Sequence, residues 1–195
     1  MEYPNWFSMY ADRYFAHHLS GLSGRPGLRF LQIGAFTGDA TAWLFDNVLT
    51  GKRSALIDVD TWEGSDEGAH ADLDWADVER VYDERTAYLR NQGSLIKRRL
   101  PSREFLRATP LSFDFIYIDA DHTAPGVLSD AVHAFPLLKP GGLIAFDDYA
   151  WKSGKGRLHD PAPAIDAFAD IYSEQMVRLE DPPGGNNQQV WLRAL

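Results

Sequence analysis

The chain has 195 residues, 45% of them hydrophobic, with no cysteine and a net charge of −9 from 28 acidic and 19 basic side chains. That length and apolar content suit one α/β domain with a full core, and the missing cysteines exclude disulfides and thiolate chemistry. The acidic balance disfavours non-specific nucleic-acid binding, and no run is long and apolar enough for a membrane span.

The opening, MEYPNWFSMY, lacks the basic and apolar regions of a signal peptide, so a cytoplasmic protein with no membrane partner is expected. Residues 1–20 are rich in aromatics: Tyr3, Trp6, Phe7, Tyr10, Tyr14 and Phe15. Asn5 to Leu19 reads as a helix that covers the ligand edge of a sheet, forms a homodimer contact, or packs on the sheet face. His17 and His18 are adjacent, cannot share a helix face, and read as surface or core residues rather than ligands. After the loop 21–27, Leu28–Ile33 is a first strand. It runs into Gly34-Ala35-Phe36-Thr37-Gly38-Asp39 and a helix from Ala40 to about Leu49. Strand, glycine turn and helix form the nucleotide-binding arrangement of a Rossmann-like sheet, in which glycines admit a ligand to the backbone and the helix start offers N–H groups. The G-x-x-x-G spacing matches neither the G-x-G-x-x-G of dinucleotide enzymes nor a phosphate loop, and a purely structural turn is the alternative.

Ser54–Asp60 is the second strand. An acid at its end is placed to accept hydrogen bonds from a ribose diol. Terminal Asp60 suits this better than Asp58, which reads as a turn ligand or a partner of the glycine loop. Residues 58–85 hold eleven acidic residues against Arg80 and Arg85, so the charge imbalance is local and reads as a solvated loop and helix face. A helix is predicted over Trp75–Arg90 and a short strand over Leu95–Leu100. Pro101-Ser102 then opens a helix over Arg103–Arg107, with Ser102 as N-cap.

Phe113 to Tyr149 carries the strongest pattern. FDFIYI is a strand that ends on Asp119-Ala120-Asp121-His122. A helix follows with Val127, Leu128, Ala131, Val132 and Phe135 on one apolar face. Lys139-Pro140-Gly141-Gly142 stops it, and a strand from Leu143 to Phe146 ends on Asp147-Asp148. Such a unit makes two parallel strands with a right-handed crossover, so both acidic turns lie at the carboxyl ends, where open α/β sheets bind ligands. Neighbouring strands lie about 4.8 Å apart. If these two are neighbours, Asp119, Asp147 and Asp148 converge and call for a hard divalent cation, Mg²⁺ being the usual choice. The alternative is that some of them cap helices. The basic loop Trp151–Arg157 closes over an acidic substrate or is merely mobile. A helix over Pro163–Glu174 and strands over Met176–Leu179 and Gln189–Leu192 complete the chain. PPGGNN serves as the turn of a terminal hairpin.

The segments LQIGAFTGDAT, IDVDTWEGSDE, FDFIYIDADH, LLKPGG and FDDYAW, with AIDAF and QQVWL, resemble class I S-adenosylmethionine-dependent methyltransferases, in particular the small O-methyltransferase branch (methyltransferase domain 24 type). The resemblance spans about residues 28–193. It implies one α/β domain: a Rossmann-like three-layer sandwich with a mostly parallel seven-stranded sheet and a C-terminal β-hairpin, residues 28–195, preceded by a helical cap over 1–27. It implies that Gly34, Ala35, Phe36 and Gly38 wrap the methionine part of the cofactor. Asp60, with Asp58, Thr61 and Trp62 nearby, holds the ribose, and Ser102 approaches the adenine. Asp119 and His122 sit beside the cofactor, and Asp119, Asp147 and Asp148 bind Mg²⁺ or another divalent cation. Three departures stand out, one being Asp147-Asp148 where relatives of the catechol type often carry Asp-Asn. Gln32 replaces the usual acid before the first glycine, and Leu100-Pro101 replaces the glycine expected before Ser102.

The implied reaction transfers a methyl group from a sulfonium to a deprotonated oxygen of a small-molecule acceptor. His122 falls where metal-dependent relatives place a general base, and an exposed turn histidine is the alternative. Two other classes stay open: a metal-independent N- or O-methyltransferase, and a non-catalytic S-adenosylmethionine-binding protein. The missing G-x-G-x-x-G disfavours a nicotinamide oxidoreductase.

Overall fold

The computed structural model describes residues 3–65 and 70–195; Asp66 and Glu67 of the acidic stretch lie outside the described residues. In chain order the elements are α1 (Trp6–Tyr10), α2 (Asp12–His18), β1 (Arg29–Ile33), α3 (Asp39–Asn47), β2 (Ala55–Asp60), α4 (Trp75–Asn91), β3 (Leu95–Arg99), α5 (Ser102–Ala108), β4 (Phe113–Ile118), α6 (Ala124–Ala134), β5 (Leu138–Phe146), α7 (Ala162–Ile171), β6 (Met176–Arg178) and β7 (Val190–Ala194). They build one seven-stranded sheet in the order β3-β2-β1-β4-β5-β7-β6. The first five strands in that row are parallel, and β7 runs antiparallel to both β5 and β6. This is the expected mostly parallel sheet with a C-terminal hairpin.

Side chains alternate between the two faces of each strand. One face carries Leu31, Ile33, Ile57, Val59, Ile116, Ile118, Ile144 and Phe146, packed against Phe105, Val127, Ala131, Ile165 and Phe168 of α5, α6 and α7. The other carries Phe30, Leu56, Phe115, Tyr117 and Trp191, packed against Tyr14 and Phe15 of α2, Leu44 of α3 and Val78 and Tyr82 of α4. Phe15 meets Phe115, Tyr117 and Trp191 edge-on at 4.9–5.5 Å between ring centres. Burying such a ring stabilises the fold by about 2–3 kcal/mol. No helix among the described residues is long and apolar enough to cross a membrane.

Several local expectations are corrected. The N-terminal helix is two helices. Asn5 caps α1 by accepting from the Ser8 N–H, and the chain turns at the fully buried Ala11 so that Phe7 and Phe15 pack at 5.0 Å. Helix α6 stops at Ala134, before Pro136, which has no N–H to donate. Lys139-Pro140-Gly141-Gly142 therefore does not end the helix. It lies inside β5, where the register with β4 jumps from Phe113↔Leu138 to Phe115↔Leu143. Val132 points to solvent rather than into the core. Ser102 is the first helical residue of α5 and Pro101 takes the cap position. The cap of α4 is Asp74, whose carboxylate accepts from the Ala76 and Asp77 N–H groups.

Candidate active site

Four parallel strands, β1, β2, β4 and β5, end at one edge of the sheet, and β7 begins there. Register places Asp58, Gln32, Tyr117, Ala145 and Trp191 side by side across it, all on the same face. Two residues further along each parallel strand, that face carries Asp60, Gly34, Asp119 and Asp147 at the edge. A polar row thus underlies the edge row.

Gly34 has φ +88°, and a Cβ there would lie 1.8 Å from the Asp119 carbonyl oxygen. Gly38 has φ +81°, and a Cβ there would lie 3.0 Å from the Tyr82 ring. Both glycines are required by protein neighbours, independently of any ligand. Asp60 holds the turn: its Oδ2 accepts from the Ala35 N–H (2.7 Å) and Phe36 N–H (3.0 Å), and its Oδ1 from the Trp62 N–H (2.8 Å). Trp62 is buried, its indole N–H donates to the Phe36 carbonyl at 2.9 Å, and Lys97 lies 4.4 Å over its ring. Phe36, Trp62 and Asp148 have φ of 47°, 51° and 55°, a region costly for side chains with a Cβ. Strain therefore collects at this edge. Thr61 is at its rim, with its hydroxyl accepting from the Glu63 N–H at 3.3 Å.

Two residues expected at the cofactor are engaged by protein groups. Asp58 is fully buried and accepts from Thr41 Oγ1 (2.7 Å) and Tyr82 Oη (2.8 Å), so it lies in the core beneath the edge. Ser102 donates its hydroxyl to buried Asp130 at 2.6 Å, which engages it between α5 and α6.

The acidic turns of β4 and β5 do converge. One ligand atom each from Asp119, His122 and Asp148 fall within 4.8 Å of one another. His122 Nε2 lies 3.4 Å from Asp119 Oδ1 and 3.2 Å from Asp148 Oδ2. Asp147 faces inward: Tyr117 Oη and Gln189 Nε2 donate to its Oδ2, and the Asp148 N–H donates to its Oδ1 at 2.8 Å. Burial, and next the charge of Asp147, raises the Asp119 carboxyl above its ordinary value. Burial and the neighbouring Asp148 raise Asp147 to about 6. The site thus gathers three carboxylates, Asp119, Asp147 and Asp148, a setting that favours protons or a cation.

Sequence reasoning missed the glutamines at the head of β7. Gln188 Nε2 donates to Asp148 Oδ1 at 2.9 Å. Gln189 is held by the Trp191 indole N–H (2.8 Å) and donates to Asp147 at 3.2 Å. Tyr14 of α2 anchors this loop by accepting from the Asn186 and Gln188 N–H groups at 3.0 and 3.2 Å. The N-terminal aromatics also reach the edge: Trp6 stacks on Phe36 at 4.7 Å, and Tyr3 meets the same ring edge-on at 6.0 Å. The covering and sheet-packing roles are both filled, by α1 and α2 respectively. Trp151 lies 5.6 Å from the His122 ring.

A family model described as a methyltransferase domain matches residues 31–149. Comparison with curated proteins returned no match. Among solved structures, a protein described as an O-methyltransferase of Klebsiella pneumoniae is similar with a TM-score of 0.66 and 17% identity, covering 94% of this chain and 79% of the other. A protein described as an rRNA methylase of Clostridium thermocellum has a TM-score of 0.66 and 12% identity and covers all of both chains. The O-methyltransferase of Bacillus cereus in complex with SAH has a TM-score of 0.64 and 16% identity, covering 94% and 80%. At these identities the likeness is one of fold.

Proposed function

This chain belongs to the methyltransferase-domain family, and on that premise we propose that it transfers a methyl group from S-adenosylmethionine to an oxygen of a small-molecule acceptor, assisted by a divalent cation. The observation that carries this reading is the cluster of Asp119, His122 and Asp148 beside the glycine turn.

For the cofactor, the Bacillus cereus neighbour bound to SAH supports the choice. Ala35, Phe36 and the Gly34–Gly38 turn would surround its amino-acid end. Asp60 would hold the ribose. Its oxygens take three backbone amides, and a carboxylate accepts about four hydrogen bonds, which leaves room for one hydroxyl.

For the cation, the donor set fits: two carboxylates and an imidazole with their ligand atoms already gathered. Carboxylates suit Mg²⁺ and Mn²⁺, and the imidazole nitrogen tilts the preference toward Mn²⁺. A cation held there would lower the pKa of an acceptor hydroxyl and fix it beside the methyl donor. The protein's own part is positioning. Gln188 orients Asp148, while Tyr117 and Gln189 hold Asp147 inward. Trp6 over Phe36, with Trp151 beside His122, would wall the acceptor and limit water. An acidic protein with aromatic walls suits a compact acceptor better than a polyanionic nucleic acid.

A second reading has its own observation. His122 Nε2 faces two carboxylates, an arrangement in which the imidazole itself takes the acceptor's proton with no metal. The deciding experiment is calorimetry with SAH, Mn²⁺ and Mg²⁺ on the wild type and Asp119→Ala, followed by turnover on a panel of vicinal diols with and without EDTA. Metal heat lost in the variant, and turnover abolished by EDTA, is expected. Turnover indifferent to EDTA favours His122 as base. No SAH binding would sink the cofactor reading.

A further inference from the structure

Asp58 on β2 and Gln32 on β1 are paired neighbours in the parallel ladder and share one face of the sheet. Both are in the core, 0% and 2% exposed. Each ends in a buried oxygen with no hydrogen-bond donor among the described residues: Asp58 Oδ1 and Gln32 Oε1. Their other polar atoms are engaged. Asp58 Oδ2 accepts from Thr41 and Tyr82, and Gln32 Nε2 donates to the Gly34 carbonyl at 2.9 Å. Buried polar atoms nearly always find partners, and leaving two acceptors unsatisfied on adjacent strands is costly. Adjacent strands lie about 4.8 Å apart, within reach of one hydrogen bond between such side chains. A single proton satisfies both oxygens.

We propose that Asp58 is a neutral carboxylic acid in the folded protein, that its Oδ1–H donates to Gln32 Oε1, and that this bond fixes the Gln32 amide as the donor holding the Gly34 carbonyl. Asp58 is then a positioning residue for the glycine turn, acting through Gln32. The rotated amide would give an ionised Asp58 a donor but would set the Gln32 oxygen against the Gly34 carbonyl, two acceptors in contact. The surroundings agree with a neutral acid. Thr41 from α3 and Tyr82 from α4 are uncharged donors. Lys97, the paired neighbour on β3, directs its ammonium to Glu79 (2.6 Å) and Asp83 (2.9 Å), and Asp60 on the same strand disfavours a second charge. Burial raises the Asp58 carboxyl to about 7.

The test uses the full chain and begins with infrared difference spectra of wild type against Asp58→Asn at pH 6. The carbonyl stretch of a hydrogen-bonded carboxylic acid is expected in the wild type and absent from the variant. If no such band distinguishes them, the neutral acid is overturned. The second measurement rests on the cofactor reading above and uses SAH as probe. Asp58→Leu lowers affinity about tenfold, the loss of roughly one buried hydrogen bond. Asp58→Asn restores it to within about twofold, because its Oδ1 and Nδ2 reproduce the acceptor and donor of the neutral acid. Equal loss in both variants overturns the relay to Gly34. Should the wild type bind no SAH while the band is present, the cofactor reading fails and the neutral acid stands.

Discussion

The two faces of the sheet are built on different terms. Toward α5, α6 and α7 the buried residues of the strands are apolar throughout, with Leu31, Ile57, Ile116 and Ile144 all 3% exposed or less. Toward α2, α3 and α4 the same strands interleave Phe30 and Phe115 with Gln32, Asp58 and Tyr117. The polar row of this second face touches the edge row: Gln32 holds Gly34, and Tyr117 lies 3.1 Å from Asp119 and donates to Asp147. One face serves stability, and the other trades some of it to orient the groups at the edge.

The sharpest break in that comparison is Asp119→Asn. Methyl transfer is expected to fall about 10³-fold, roughly 4 kcal/mol of barrier, while the melting temperature rises, because burial already disfavours this charge. A kinetic assay beside a thermal melt checks both halves, and a melting temperature that falls with the rate would place Asp119 among the stabilising residues instead.

Next in size is a pH effect carried by two acids of the polar face. Asp58 is raised to about 7 and Asp147 to about 6, above the ordinary unfolded value near 3.9. The folded state therefore keeps protons that the unfolded chain has lost. The stability these two groups lend is expected to fall as pH rises from about 4 to about 7 and to level off above, with Asp58 contributing on the order of 3 kcal/mol. Asp58→Asn should flatten its share of that slope in melts at pH 4.5 and 7.5. On the hydrocarbon face, Ile144→Ala should cost roughly 3 kcal/mol at every pH and leave SAH affinity unchanged, measured by urea unfolding and calorimetry. The smallest effect belongs to Gln188→Met, which removes the donor to Asp148 but keeps its bulk. Mn²⁺ affinity should drop about tenfold with SAH affinity intact. An unchanged Mn²⁺ isotherm would mean that Asp148 needs no orienting partner.

Much of the scaffold was legible in the sequence. FDFIYI is strand β4 over Phe113–Ile118, and helix α4 begins at Trp75 as expected. Where local signals conflicted with packing, packing won. The break at Ala11 has no glycine or proline to announce it; it follows from burying a small residue between Phe7 and Phe15. The glycines of Lys139–Gly142 read as a helix stop but form an irregular start to β5. At the site, the placing of acids at strand ends was readable from spacing. Which way each acid faces was not. Asp58 and Asp60 differ only by their place along one strand, yet one is sealed beneath Tyr82 and the other holds the glycine turn. The contacts of Gln188 and Gln189 cross from the last strand to the fifth, a pairing that no local pattern encodes.

The missing Cβ at Gly34 has a further consequence. Because the Asp119 carbonyl occupies that space, the first turn and the acidic turn after β4 interlock like adjoining teeth. Neither can be lengthened, shortened or exchanged for a relative's version while the other stays in place. Recombination or grafting aimed at a new acceptor should carry the two turns together, and variation that leaves them alone should be tolerated first in the segment that only overlies them, helix α1 with its Trp6.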